Sequence, residues 1–122
     1  MIKRIREYVK DEPGLKNENI SNHKAVEIDE MLSSIGIQKN SKGFVYLKDI
    51  INLYLALHNI TLNNAYKNIA CKYKSNWRTI EKAIRRAIIS GYNNQTTVYK
   101  ELYGRNIPST LDFIDIFIDK CR

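Results

Sequence analysis

The sequence predicts an all-α fold of about six helices, and three observations lead to this prediction. Apolar residues recur at spacings of three and four, and few runs alternate apolar with polar residues. The 122 residues include only five glycines and two prolines, so breaks between helices are few. A hydrophobic share of 43% is ordinary for a globular chain. We expect one compact domain over residues 21–122, preceded by an extension over residues 1–20.

The N-terminal third contains the extension and two helices. Ile2 to Lys10 could form a short basic helix, which Pro13 and Gly14 interrupt. Ser21 or Asn22 can cap the next helix, and Gly36 ends it in the position where a left-handed residue closes a helix. A second helix is expected from about Val45 to His58. The predicted inward residues of the two helices are Ala25, Ile28, Met31, Leu32 and Ile35, followed by Leu47, Ile50, Ile51, Tyr54 and Leu55.

Four further helices are predicted in the rest of the chain. Thr61 caps a third over Leu62 to Tyr73, and Ser75 or Asn76 caps a fourth that runs to about Ser90, where Gly91 breaks it. A short fifth helix covers about Thr97 to Tyr103 and stops at Gly104. The last helix begins at a sequence spaced like a capping box, Ser109 with Asp112. Its predicted inward residues are Leu111, Ile114, Phe117 and Ile118.

The third and fourth helices have the features of a helix-turn-helix unit. A tight connection, Lys74 to Asn76, joins them, and Ala70 is the small residue that allows close packing. The glycine usual in such a turn is missing, and Lys74 stands in its place. At 3.6 residues per turn, one face of the fourth helix is apolar and is expected to be buried. It consists of Trp77, Ile80, Ala83, Ile84, Ala87 and Ile88.

The opposite face of the fourth helix carries most of the net charge of +7. Seven basic residues and one acid lie between Lys67 and Arg86, whereas four bases balance four acids between Lys100 and Arg122. A local excess of this kind indicates an anionic partner, and a basic helix face can lie in the major groove of double-stranded DNA. The candidate DNA-binding residues are Lys72, Lys74, Ser75, Asn76, Arg78, Thr79, Glu81, Lys82, Arg85 and Arg86.

Four stretches, "KGFVYLKDII", "NIACKY", "RTIEKAIRRAI" and "PSTLDFIDIFIDK", occur in the order seen in one known family. Over about residues 22–122 the chain resembles the C-terminal DNA-binding effector domain of the sporulation stage zero A response regulator. The resemblance implies a six-helix domain that binds DNA, with Glu81, Lys82 and Arg85 standing where the family places like residues used on DNA. Thr79 stands where the family has a base-reading arginine, and Trp77 replaces a small residue. The family's target sequence is therefore not carried over.

The resemblance also bears on regulation and assembly. The family regulator carries a phosphoacceptor receiver domain before the effector domain, and about twenty residues cannot hold one. We therefore expect a transcription regulator that is not controlled by phosphorylation in cis. Weak self-association on tandem sites is expected between the basic segment Ile2 to Lys10 and the apolar, acidic helix from Leu111 to Cys121.

Other classes of function find little support in the sequence. No apolar run approaches the ~20 residues of a membrane span, and there is no secretory signal, so we expect a cytoplasmic, nucleoid-associated protein. Cys71 and Cys121 are expected to be free thiols. Isolated histidines, His23 and His58, predict no metal site. No cofactor, small-molecule substrate or enzyme activity is expected. The aspartates of the last helix, Asp112, Asp115 and Asp119, are expected to form a solvated stripe.

Two alternatives to the regulator remain open. The chain could be a protein-interaction module that antagonises or assembles with a full-length regulator, or a weakly specific plasmid or phage DNA-handling protein. Tyrosines near basic residues could also stack on single-stranded bases, although such residues more often line the rim of a core with the hydroxyl in water. These are Tyr66, Tyr73, Tyr92, Tyr99 and Tyr103.

Overall fold

A computed structural model describes residues 27–57 and 59–121 of the chain. The predicted extension, the candidate caps Ser21 and Asn22, and both histidines lie outside the described residues. The chain divides into two compact units, Met1–Glu30 and Met31–Arg122. The first is described only over residues 27–30.

The described residues form six helices and contain no strand, which confirms the all-α prediction. The first helix, α1, is described over residues 27–34. The five that follow are α2 (Lys42–Ala56), α3 (Leu62–Lys72), α4 (Trp77–Asn94), α5 (Thr97–Tyr103) and α6 (Thr110–Cys121). Among the residues described, no helix combines the length and apolar composition required to cross a membrane.

Short polar side chains start the helices, as the sequence predicts for α3 and α6. The Thr61 hydroxyl accepts a hydrogen bond from the Asn64 N–H at 3.2 Å, and the Ser109 hydroxyl accepts one from the Asp112 N–H at 3.2 Å. Thr96 caps α5 in the same way, through the N–H of Tyr99 at 3.1 Å. Each bond satisfies one of the N–H groups that have no acceptor within the helix.

Two predicted helix boundaries are wrong. α2 begins at Lys42 and not at Val45, because the Ser41 hydroxyl accepts a hydrogen bond from the Phe44 N–H at 3.1 Å and caps the helix earlier. α4 continues through Gly91 to Asn94, and the next residue, Gln95, caps it in a left-handed conformation with a φ of 52°. Gly91 is buried within α4, where it lies against Ile35 and Ile37, and the helix continues past it. By contrast, Gly36 ends α1 with a φ of 104°, as predicted.

The core lies between α2, α3 and α4 and continues into α5 and α6. Isoleucines of α2 and α4 are fully buried, among them Ile50, Ile51, Ile80 and Ile84. Aromatic rings fill the α5–α6 contact. The Tyr103 and Phe113 rings are stacked with centroids 4.7 Å apart. The prediction that Leu111 faces inward is wrong: it lies in the first turn of α6 and is 44% exposed.

α2 and α4 approach each other closely in this core. A β-carbon built on Gly43, in the first turn of α2, would lie 2.5 Å from the carbonyl oxygen of Ala83 and 2.6 Å from the β-carbon of Ala87. Both distances are shorter than van der Waals contact. Only glycine permits the two helix backbones to approach this closely, and the contact fixes how α4 is seated on the domain.

We predict that Gly43→Ala destabilises the protein by about 1–3 kcal/mol, because overpacking forces backbone shifts. This loss outweighs the gain of roughly 0.5–1 kcal/mol that alanine brings to a helix. Chemical denaturation followed by circular dichroism measures the difference.

Gly91→Ala is the matched control, since this glycine is also helical and a β-carbon there would meet Ile35 at an ordinary 3.4 Å. We expect it to be neutral or slightly stabilising. Equal effects of the two substitutions would show that the Gly43 contact does not determine the packing of α4.

Candidate nucleic-acid interface

The turn between α3 and α4 has the geometry of a helix C-terminal motif. The N–H of Ser75 donates to the carbonyl of Ala70 at 2.8 Å, and the N–H of Lys74 donates to the carbonyl of Cys71 at 3.3 Å. This pair of bonds is a Schellman motif, in which the residue after the cap adopts a left-handed conformation. That residue is Lys74, with a φ of 54°. The position at which the sequence lacks the expected glycine is therefore the one that glycine would suit best.

Asn76 is the cap of α4. Its side-chain oxygen accepts hydrogen bonds from the Thr79 N–H at 3.0 Å and from the Thr79 hydroxyl at 3.2 Å. Ser75, the other candidate for the cap, precedes it in the turn. The hydrogen bonds that cap α4 thus join two of the candidate DNA-binding residues, Asn76 and Thr79.

The face of α4 opposite the core is exposed. Ile80, Ile84 and Ile88 on the inner face are fully buried. All ten residues that the sequence singles out for DNA are exposed: Lys72, Lys74, Ser75, Asn76, Arg78, Thr79, Glu81, Lys82, Arg85 and Arg86. They form a continuous strip from the end of α3 to the middle of α4.

The strip has two unlike sides. On one side, Thr79, Lys82 and Arg86 line a groove shared with the α1–α2 loop and the start of α2. On the other side, the guanidinium of Arg85 donates to the carbonyl of Pro108, just before α6, at 3.0 Å. Arg85 therefore helps to position α6 as well as extending the basic face.

Tyr66 of α3 lies beneath the Arg85 side of the strip. Burial raises the pKa of the Tyr66 hydroxyl, and a hydrogen bond with Thr110 partly offsets this effect. The nearby charges of Glu81 and Arg85 act on the pKa in opposite directions. Glu81 and Arg85 thus belong to one cluster that joins α3, α4 and α6.

Lys72 has a partner within the protein. Its ammonium lies 3.3 Å from the Asp49 carboxylate of α2, and the neighbouring Tyr73 hydroxyl donates to the second oxygen of the same carboxylate. Burial, with Asp49 next in importance, raises the pKa of Tyr73 to about 12, so that the hydroxyl remains a donor at neutral pH. Asp49 thereby ties the end of α3 to α2. The Lys72 side chain remains 59% exposed despite its ion pair with Asp49.

The prediction that Trp77 is buried is wrong. The apolar face of α4 predicts that it is buried between α3 and α4, but it is 39% exposed. The Cα–Cβ bonds of a helix tilt towards its N-terminus, so a side chain in the first turn extends past the helix end, where no preceding turn covers it. The Arg78 guanidinium lies over the indole ring, 5.4 Å from its centroid. Trp77 and Arg78 together form the exposed tip of α4.

Three of the five tyrosines near basic residues offer little surface for stacking on single-stranded bases. Tyr66, Tyr99 and Tyr103 are buried. The Tyr99 hydroxyl donates to the carbonyl of Asn106 at 3.0 Å, and the Tyr103 hydroxyl donates to the carbonyl of Phe113 at 3.1 Å. The expectation that their hydroxyls are in water is therefore wrong for these two. They hold the α5–α6 segment by hydrogen bonds.

Chemistry of other kinds has no assembled site in the part of the chain that is described. No group of three or more His, Cys, Asp or Glu side chains there could hold a metal ion. Asp112, Asp115 and Asp119 are exposed on α6, as expected. Neither Cys71 nor Cys121 forms a disulfide.

Comparison with known protein families gives a match over most of the chain. Residues 28–120 match the model of the family described as "Sporulation initiation factor Spo0A C terminal". The match extends from α1 to the last turn of α6, and so it includes the helix-turn-helix and the elements that support it.

The left-handed turn residue supplies a test of the interface geometry. We predict that Lys74→Gly is more stable than Lys74→Ala by about 1–2 kcal/mol, because a side chain in the left-handed region is strained. Both substitutions remove the same charge, so urea denaturation of the pair isolates the backbone effect. An alanine variant as stable as the glycine variant would contradict the left-handed conformation of the turn.

Proposed function

We propose that this chain, which belongs to the family of Spo0A C-terminal domains, is a transcription regulator that binds double-stranded DNA in a sequence-specific manner. Its family is one of DNA-binding effector domains and not of enzymes. The observation that carries the proposal is the strip: a basic, exposed face of α4 directly after a tight turn, on a helix whose isoleucines Ile80, Ile84 and Ile88 are fully buried. Such a helix can enter the major groove without disturbing the core.

The proposal assigns different roles along the strip. Residues near the N-terminal end of a recognition helix reach base edges, and later basic residues neutralise phosphates. Arg78 is in the first turn and has the side chain best suited to a guanine edge, since its fork can bond O6 and N7 together. Trp77 and Thr79 flank it and differ from the residues usual in the family. We therefore propose that the target sequence differs from the family's.

The alternative of a protein-interaction module is favoured by one observation on α6. Leu111 is 44% exposed and Ile116 is 36% exposed, and both lie among the exposed aspartates of that helix. An apolar, acidic surface of this kind could contact another protein or a neighbouring copy on tandem DNA sites. The proposed regulator would act at the nucleoid, and such a contact would assist it there.

Selection of bound duplexes from a random pool tests the proposed function. A regulator yields a common sequence and binds it far more tightly than random duplex at the same salt concentration. Binding to all sequences alike would instead identify a DNA-handling protein. No binding to duplex at low salt would identify an interaction module.

We predict that Arg78→Ala weakens binding to the selected duplex by about 5-fold to 150-fold, which corresponds to a lost base contact of roughly 1–3 kcal/mol. Binding to random duplex should change much less, and the melting temperature should stay near that of the wild type. Lys82→Ala is also expected to weaken binding without unfolding the protein.

Arg105→Ala is the matched control, because Arg105 is an exposed arginine outside the helix-turn-helix. It should leave both affinities unchanged. An equal loss of affinity for selected and random duplex in Arg78→Ala would show that Arg78 contacts phosphate and does not read a base.

A further inference from the structure

A groove of about 470 Å³ runs beside the recognition helix. Thr79, Lys82 and Arg86 of α4 form one wall, and Gln38, Ser41 and Lys42 are among the residues of the opposite wall. Gly43, Ala83 and Ala87 also line it, and they make the close contact between α2 and α4. The groove is therefore a consequence of the close packing of the two helices.

The groove concentrates positive charge that no acidic residue of its own lining balances. Lys42, Lys82 and Arg86 line it, and no acidic residue does. Within residues 27–57 and 59–121, none of the three takes part in an ion pair. The neighbouring cations differ in this respect, since Lys72 pairs with Asp49 and Arg85 bonds to the Pro108 carbonyl. Three exposed cations around one groove repel each other unless an anion lies between them.

The charge of Lys42 is also unfavourable for the helix in which it lies. It is the first residue of α2, where the helix dipole is positive and a cation is unfavourable. The first N–H groups of α2 also have no acceptor within the helix, which adds to the attraction for an anion. The position of Lys42 therefore does not serve the stability of α2.

We propose that this groove binds a backbone phosphate of the DNA strand that runs beside α4, with Lys42 as a phosphate contact outside the helix-turn-helix. The inference rests on the proposed function. A helix in the major groove has a sugar–phosphate strand along each of its sides, and the groove lies along one side of α4. The aromatic ring that lines it, Tyr46, is buried and offers no face for a base. A phosphodiester fits this site better than a nucleotide.

The test is the salt dependence of DNA binding by Lys42→Ala. Loss of one phosphate contact lowers the slope of log K against log salt by about one unit, on random and selected duplex alike. Lys42→Ala therefore loses less affinity than the wild type as salt rises, and the ratio of the two affinities falls about threefold to fourfold between 50 and 200 mM salt. Lys42→Arg should keep the wild-type slope, and the melting temperature of Lys42→Ala should not fall.

Lys100→Ala is the matched control, because Lys100 is an exposed lysine of α5 that does not line the groove. It should leave the slope unchanged. An unaltered slope in Lys42→Ala, or an equal change in Lys100→Ala, would overturn the inference. The measurement on random duplex remains decisive even if selection yields no preferred sequence, so the inference and the proposed function can fail separately.

Neutral methylphosphonate linkages, placed singly along the selected duplex, locate the contact. The wild type should lose affinity at a particular phosphate, and Lys42→Ala should lose less there than the wild type, because only Lys82 and Arg86 remain to contact it. If each neutral linkage lowered the affinity of Lys42→Ala by the same factor as that of the wild type, this would contradict a phosphate contact through Lys42. Inorganic phosphate, exchanged for chloride at constant ionic strength, should not displace the duplex. Displacement by phosphate alone would assign the groove to a free anion.

Discussion

The close contact between Gly43 and the Ala83–Ala87 segment is the constraint on which the rest of the structure depends. The absence of a side chain at Gly43 lets the first turn of α2 touch the backbone of α4, since a β-carbon would lie 2.5 Å from the Ala83 carbonyl oxygen. The amphipathic sequence of α4 buries its isoleucines and turns its basic residues outwards, and the contact at Gly43 lets α2 lie close against that helix. This contact also brings Lys42 to the edge of the same helix. One glycine thus determines both the seat of the recognition helix and the groove beside it.

Four of the six basic residues of the strip form two pairs with different surroundings. Lys72 and Arg85 have partners in the protein, Asp49 of α2 and the Pro108 carbonyl before α6. They brace the helix-turn-helix against its neighbours while their charges remain at the surface. Lys82 and Arg86 face the groove, where no carboxylate compensates them. A DNA strand that approaches this side of α4 meets cations that no carboxylate of the groove lining compensates.

Local chemistry explains which parts of this structure the sequence predicts. The caps Thr61 and Asn76 and the limits of α5 depend on neighbouring residues, and so the pattern predicts them. The exposure of the six candidate residues on α4 follows from the periodicity of that helix. Gly91 cannot be assigned in the same way, because its role depends on contact with Ile35, distant in the sequence. The exposure of Trp77 depends on where the helix ends in space, and periodicity alone treats it as a core position. The contact at Gly43 is equally non-local, although the motif that contains it is visible in the sequence.

The fluorescence of Trp77 tests most directly the central claim that the outer face and tip of α4 contact DNA. The chain contains one tryptophan, so its emission reports on this position alone. Because Trp77 is exposed, we expect the free protein to show the emission maximum of hydrated indole. Saturation with the selected duplex should quench the emission or shift it to shorter wavelength, as DNA covers the ring. A shielded emission in the free protein, or an unchanged spectrum in a complex shown by anisotropy to be saturated, would contradict the account.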